Sequence, residues 1–529
     1  MRNVFVITLL SILFSGAAVN AQIVLQGNIS TDTTLEQSEE YLLRGAVFVD
    51  SMVTLTIEPG VTIFGEKATT GTLIISRGAM IMALGTADNP IVFTSDQESP
   101  NRGDWGGLII NGNAPINTGD QAEGEGNTGF YGGSDPNDNS GTLRYVRVQY
   151  AGIEFSADNE LNGIAFQGVG NGTTVEYCQV HMNQDDGIEF FGGTVDAKYL
   201  LCTNIRDDNF DWTDGWVGRG QFWVCQQRGD DADNGIEADN NGENNDLLPR
   251  SNPTIYNVTF IGDPLGEVFN ESDTGMLLRE GTAGTIRNGI VMGFNTSGLD
   301  VDQTATHDLA NSGDLSVQNF IFFDNRVDSL VPGNFNLDDD GFDEGTWAMT
   351  AGFNNYEATM VPVLDPYMLQ RTSFVSINEA VDGTVPVATP PNDGFFDTSV
   401  DYIGAVGPNN VWTLYWTNTE WSWDADENPE NGQVMPTQFE LGANLPNPFS
   451  SVTTIQYSLT APATVDLAVY DISGRLIRSL TSGSHTAGTH EVAWDGTTDT
   501  GHVVNSGIYF YRLVVDEKQQ TVRKMVLLK

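Results

Sequence analysis

Asp185-Asp186-Gly187-Ile188-Glu189-Phe190 is the stretch on which the fold turns, because the chain repeats it. It returns as Asp207-Asp208-Asn209-Phe210-Asp211-Trp212 and as Asp233-Asn234-Gly235-Ile236-Glu237-Ala238. Looser copies are Glu160-Leu161-Asn162-Gly163-Ile164-Ala165-Phe166, Asp273-Thr274-Gly275-Met276-Leu277-Leu278 and Thr296-Ser297-Gly298-Leu299-Asp300-Val301. Most successive copies lie about 22 to 26 residues apart, and one interval is lengthened by the polar insert Asn240 to Pro253. A fixed period of this length marks units that bury their apolar faces by stacking on their neighbours.

A second strand recurs between the copies. Thr142-Leu143-Arg144-Tyr145-Val146 is matched by Thr174-Val175-Glu176-Tyr177-Cys178, Thr254-Ile255-Tyr256-Asn257-Val258, Thr285-Ile286-Arg287-Asn288-Gly289 and Ser316-Val317-Gln318-Asn319-Phe320. Apolar residues fall on alternate positions, so one face is buried. Two strand types inside one short period describe a coil that returns to its start each turn. The sequence therefore predicts an all-β chain built on a parallel β-helix, with rungs roughly 4.8 Å apart. The Leu and Asn frame of a leucine-rich horseshoe is missing, and the Gly and Asn density excludes helical solenoids. Cys178, Cys202 and Cys225 are 24 and 23 residues apart, a spacing that predicts a ladder of buried thiols on one interior face. A disulfide between adjacent rungs is geometrically allowed. A metal site is disfavoured by the lack of Cys-x-x-Cys pairs.

Leu55 to Ile63, Gly71 to Ile75 and Pro90 to Phe93 read as the opening rungs. Residues before about 50 are expected to cap the first one, since a bare solenoid end exposes strand edges. At the other end Trp412, Tyr415, Trp416, Trp421 and Trp423 are expected to pack over the last rung, with a carbohydrate-stacking platform as the alternative. The β-helix is thus assigned to residues 22–423.

The chain of 529 residues carries 71 acidic and 23 basic side chains, a formal net charge of −48. Such a surface repels nucleic acid and anionic membranes and suits either solubility or divalent cations. At the N-terminus, Arg2, the apolar run Val4 to Phe14 and the small residues up to Val19-Asn20-Ala21 read as a signal peptide over 1–21, with a mature start at Gln22. The run is too short to span a membrane comfortably, and no later segment approaches the needed length.

Asp424 to Gly432 is polar and opens a linker, 424–436. The pattern then becomes antiparallel: Ile455, Tyr457 and Leu459 alternate, as do Val465, Leu467 and Val469 before a turn at Asp471 to Gly474. Residues 437–529 are expected to form a small Ig-like β-sandwich. Within them Asn444-Leu445-Pro446-Asn447-Pro448-Phe449, Thr453 to Leu459, Val469 to Arg475, Trp494-Asp495-Gly496, Ser506 to Phe510 and Lys524 to Lys529 follow in order. This set resembles the type A C-terminal sorting domain of the type IX secretion system, although Asn444-Leu445 stands where that family more often has Asn-Tyr and Ser450 where it often has Asn. The resemblance implies passage across the outer membrane by that machinery, removal of the domain, and attachment to surface polysaccharide or release. The coil resembles β-helix proteins found joined to such domains, most of all at Gly103 to Gly112. That second resemblance implies a fold and no reaction.

Chemistry is expected at the repeated carboxylates. If Ile188, Phe210 and Ile236 point inward, Glu189, Asp211 and Glu237 point outward, one rung apart. Two such charges repel by roughly 1 kcal/mol in water and 3–4 at an effective dielectric of 20. Raised pKa values, cations or basic neighbours must answer that repulsion, and Arg206 and Arg228 are the basic candidates. The turn residues Asp185, Asp186, Asp207, Asp208 and Asp233 add hard oxygen ligands suited to Ca²⁺; the plain alternative is a ladder of turns formed by short polar side chains. The expected role is an exported binding or adhesive rod, with extracellular polysaccharide as partner. The competing role is a Ca²⁺-dependent polysaccharide lyase or hydrolase, for which the only support is fold-level analogy. A paired Gly-His-Gly motif is missing, and His181 reads as a satisfied strand residue. Arg102-Gly103-Asp104 and Arg228-Gly229-Asp230 are read as coincidental matches to an integrin-binding tripeptide.

Overall fold

In the computed structural model the described residues run from 22 to 527, except 157–158, 229–231, 264–271, 328–330, 333, 336–340, 360, 364–365, 367–373, 377–384, 408–409, 415, 419–438, 442–443, 445, 447–448, 460–461, 472–475, 487, 499–500, 506 and 516–518. The signal-peptide and linker readings, together with Asp230, Tyr415, Trp421 and Trp423, lie outside them. The chain divides into two compact units, Met1–Asp424 and Ala425–Lys529.

The first unit is a parallel β-helix whose 23 strands belong to one continuous sheet. One stack of strands holds the repeated motif. Ile164, Ile188, Phe210 and Ile236 are in register, and the looser copies follow with Leu277 and Leu278 beside Asp300 and Val301. The second recurring strand stacks as the sequence predicts, Thr142 on Thr174 and Thr254 on Thr285 on Ser316. Alternation drives the packing: Ile164, Ile188, Phe210 and Ile236 are all fully buried in a single interior core. The motif glycine is required by close approach, because a Cβ on Gly187 would lie 2.5 Å from the Asn209 carbonyl oxygen and 2.8 Å from Cys202 Sγ.

Each long strand of the coil is bent once at a residue with positive φ, Gly45 in Glu40–Val49 and then Tyr145, Tyr177, Tyr199, Phe222, Asn257, Asn288 and Asn319. Left-handed backbone costs a residue other than Gly or Asn about 1–2 kcal/mol. Ring stacking offsets that cost where the corner is aromatic. Tyr145 stacks on Tyr177 at 4.4 Å, Tyr177 on Tyr199 at 4.2 Å and Tyr199 on Phe222 at 4.8 Å. The following rungs use Asn, which tolerates the conformation.

Three expectations are corrected. Residues 22–49 are rungs rather than a cap: Ile23–Ile29 pairs in parallel with Glu40–Val49, and Thr33–Leu35 with Thr54–Ile57. The period of alternating apolar positions already begins there, so the segment joins the sheet. Second, the three cysteines do not form one ladder. Cys202 is in register with Cys225, but Cys178 lies beside Leu200 and Val180 beside Cys202. That rung is 22 residues long, so a spacing of 24 overshoots by two, which keeps the face and changes the position. All three thiols are free and buried.

Third, the aromatic residues near 412 do not cover the last rung. Trp416 meets Tyr145 edge-on at 5.6 Å, and Trp412 meets Tyr199 at 5.4 Å. They belong to a strap that runs back along the bent corner. Reciprocal amide bonds fasten it: Gln179 to Asn418 (2.6 and 2.7 Å), Gln221 to Asp397 (3.1 and 2.8 Å) and Asn288 to Ala388 (2.7 and 2.8 Å). The strap buries Phe222, Val224, Ile261, Ile290 and Ile321, apolar residues on the outside of the coil. The far end of the coil is instead covered by Phe335, Phe342, Trp347 and Phe353, which join the interior core.

The second unit pairs a three-stranded sheet (Phe439–Leu441, Thr453–Leu459, Gly488–Trp494) with a four-stranded one (Ala463–Asp471, Leu476–His485, Gly507–Val515, Gln519–Leu527). Between them lie buried Tyr457, Leu467, Trp494 and Tyr511. Asn444 closes the entry to this unit: its side-chain amide donates to Thr453 Oγ1 at 2.8 Å, and its backbone N–H donates to Tyr511 Oη at 2.9 Å.

Candidate functional site: a shielded carboxylate array

On the outer side of the repeat stack the residues in register run Ile74, Ile109, Ala165, Glu189, Asp211, Glu237, Leu277 and Asp300. Three consecutive carboxylates thus interrupt an apolar column, as the motif predicts. The turn before them adds a second column. Asp186 accepts the backbone N–H of Asp208 at 3.0 Å, and Asp208 accepts that of Asn234 at 2.7 Å. One oxygen of each carboxylate therefore ties its rung to the next, the local bonding expected of turn Asp residues. A third column places Asp207 beside Asp233, whose N–H reaches the Asp207 carbonyl at 3.3 Å.

These columns bring seven of the eight predicted ligands together. Carboxylate oxygens lie within 4.8 Å of one another in three groups: Asp185, Asp186 and Asp207; Asp207, Asp208 and Asp233; and Asp186, Glu189 and Asp211. The first two groups are the same triad displaced by one rung, with Asp207 shared. Glu237, the eighth, is in register with Asp211 but is ion-paired with Arg279, which also holds Asp239 at 3.1 Å. Arg279 is ion-paired with Glu237 and Asp239 on this face; of the two basic residues expected from the sequence, Arg206 is exposed and Arg228 buried.

The outward column is largely shielded from solvent: Glu189 is only 7% exposed, and Asp211 and Glu237 are partly exposed. The segment between Asn111 and Ser140 folds over this side, and its Ile116 and Tyr131 pack with Ile109, Ala165 and Phe191. Tyr131 donates its hydroxyl to Asp214 at 3.1 Å, and Asn117 bonds to Asn240 of the polar insert at 3.0 Å. Burial, then mutual repulsion, pushes the carboxyls up: Asp185 to about 8, and Asp186, Glu189, Asp208 and Asp211 well above the usual range. Burial also lifts Glu237 to about 7, with Arg279 opposing, and Glu125 of the covering segment to about 7. Asn162 donates to Glu189, while its own Oδ1 and Asp211 Oδ1 are buried without hydrogen-bond partners.

Hard oxygen donors in groups of three, with unsatisfied buried oxygens among them, fit a cation such as Ca²⁺. Sequence reading missed Asp239, Arg279, Asp214 and Glu125. Asp239 and Arg279 were accessible by alternation, two residues beyond Glu237 and Leu277 on the same outer face. Glu125 sits in a covering segment outside the repeat, where no period points to it. His181 is fully buried with Nδ1 2.8 Å from Thr203 Oγ1, as a strand residue should be. Arg102 bonds the Asn204 carbonyl at 2.8 Å, and Asp104, ion-paired to Lys67 at 2.7 Å, is buried, so that tripeptide is structural.

The fold and its acidic face define a parallel β-helix protein with a C-terminal Ig-like unit. The chain belongs to the pectate-lyase-like β-helix domain family, whose model matches residues 27–355; an FlgD Ig-like domain model matches 449–520. No curated protein matches. Among solved structures, dimeric latent PorU from Porphyromonas gingivalis is 26% identical over 17% of this chain and 9% of that chain, with a TM-score of 0.15. The enzymatically active domain of bacteriophage CBA120 tailspike protein 2 is 12% identical over 96% and 76%, with a TM-score of 0.26. This chain thus spans under a tenth of PorU.

Proposed function

We propose that this is an exported surface protein whose coil is a non-catalytic glycan-binding scaffold, stiffened by Ca²⁺ held in the carboxylate columns. The observation that carries the reading is the shielding of the array. A polymer has no open groove to Glu189, whereas a small cation answers the charge that protonation and Arg279 answer only in part. The matching triads suit one ion each, with Asp207 bridging.

The ordered motifs of the C-terminal unit support a type IX sorting role, with Asn444, Tyr457, Trp494 and Tyr511 as its framework. Residues 1–21 fit the role of a signal peptide, so the route runs through the periplasm to the cell surface or beyond. No helix among the described residues is long and apolar enough to cross a membrane.

A Ca²⁺-dependent lyase or hydrolase is the competing reading. It draws on carboxyls held near neutrality, Glu125 and Glu237, in the range of a general acid. The test is to incubate the chain with acidic and neutral polysaccharides, with Ca²⁺ and with chelator, following unsaturated products and new reducing ends. The scaffold reading expects retention of polymer without cleavage. Product that disappears in Asp211→Asn overturns it in favour of the enzyme.

A further inference from the structure

A separate cleft of about 480 Å³ lies between the coil and the segment that covers the array. Its size falls among small-ligand sites, which run roughly 300–1,000 Å³. Turns of the coil supply Ser51, Ser76 and Arg77, and the covering segment and the strand that leads into it supply Asn111, Asn113 and Phe130. Asn111 is two rungs before Phe191, on the same side of the coil as the carboxylates.

Three observations describe what fits there. Asn111 is 1% exposed and donates its amide to the Thr128 carbonyl at 2.8 Å, yet its Oδ1 is buried with no hydrogen-bond partner. Leaving such an acceptor unpaired costs about 1–3 kcal/mol, so the cleft favours a ligand that brings a donor. Phe130 is 50% exposed and offers an apolar face at the rim. Among the described residues no carboxylate lines the cleft, in a chain with 71 acidic residues. Arg77 anchors the covering segment beside the cleft, through the Gly132 carbonyl at 2.9 Å and Gln121 at 3.4 Å.

We infer that this cleft binds one pyranose ring of an uncharged glycan. A sugar hydroxyl donates to Asn111 Oδ1, the Ser51, Ser76 and Asn113 side chains hydrogen-bond neighbouring hydroxyls, and the C–H face of the ring lies on Phe130. Arg77 positions the wall that carries Phe130. The net charge of −48 works against uronate ligands at long range. The inference rests on the scaffold reading and places its binding site.

The experiment titrates the full chain with neutral hexasaccharides of the cello, xylo, manno and laminari series and with hexagalacturonate, by calorimetry. Phe130→Ala removes the platform and Ser51→Trp fills the cleft from an exposed turn; unchanged melting confirms that both variants fold. One neutral series should bind at one site per chain, weaken at least tenfold in Phe130→Ala and vanish in Ser51→Trp. Binding that ignores both variants overturns the cleft and leaves the scaffold reading standing. Binding of hexagalacturonate alone overturns the uncharged ligand. If no hexasaccharide binds, the cleft is overturned, and the scaffold reading falls with it only if polymeric glycans also pass unretained.

Discussion

Replacing Asp211 by Asn should stabilise the coil, and only at alkaline pH without divalent cations. Asp211 stands between Glu189 and Glu237 in register. At a rung spacing of about 4.8 Å and an effective dielectric of 20, each neighbouring pair repels by about 3.5 kcal/mol when ionised. Three full charges would therefore cost about 7 kcal/mol, and the fold avoids part of that by keeping protons. Burial, opposed by Arg279, raises Glu237 from 4.5 to about 7 and holds its proton up to neutral pH. A carboxyl whose folded pKa is raised contributes its stability below the unfolded value, near 4.5, and loses it as pH climbs through about 7 to 8. Asn keeps the shape and deletes the central charge; with part of the column still protonated at pH 9, about one of the two pairs is relieved, an expected gain in chelator of about 3 kcal/mol. With an unfolding entropy of ~2.1 cal/mol/K per residue over the coil of residues 27–355, that gain raises the melting temperature by about 4 °C. Melts at pH 5, 7 and 9 would show it as a difference that grows with pH. An equal shift at pH 5 and 9, or destabilisation at pH 9, refutes the reasoning.

Arg279→Ala should act in the opposite sense: it strips Glu237 and Asp239 of their cation and should destabilise by about 3 kcal/mol at pH 9, with little effect at pH 5, by the same melts. Trp416→Ala should cost about 3–5 kcal/mol locally and release the strap, read as new proteolytic cleavage between residues 386 and 418 while the rungs stay intact. The thiols of Cys178, Cys202 and Cys225, buried and pushed up by burial, should resist a thiol reagent in the native chain and give three equivalents on unfolding; rapid native labelling contradicts their placement.

The repeat stack was legible because alternation and a near-constant period leave few ways to arrange Ile188, Phe210 and Ile236. The same rule placed Glu189, Asp211 and Glu237 in one column. What escaped is what lies outside the period. The covering segment with Tyr131 and Glu125, and the strap with Trp412 and Trp416, have no repeat of their own. Their positions are set by contacts over 100 residues away in sequence, as between Asn288 and Ala388. Rung length also mattered: the spacings of 24 and 23 residues between Cys178, Cys202 and Cys225 suggest one ladder, while the actual 22-residue rung puts Cys178 beside Leu200. Residues before about 50 read as a cap because a bare solenoid end exposes strand edges, yet Ile23–Ile29 pairs in parallel with Glu40–Val49 as a rung.

The most direct measurement is a calorimetric Ca²⁺ titration of the full chain at pH 8, repeated with Asp207→Asn. The account predicts at least two ions per chain, a rise in melting temperature that chelator reverses and that fades toward pH 5, and loss of both sites when the shared ligand Asp207 is neutralised. No heat of binding, together with a melting temperature indifferent to chelator, would contradict it and leave the columns as turns joined only by their own hydrogen bonds.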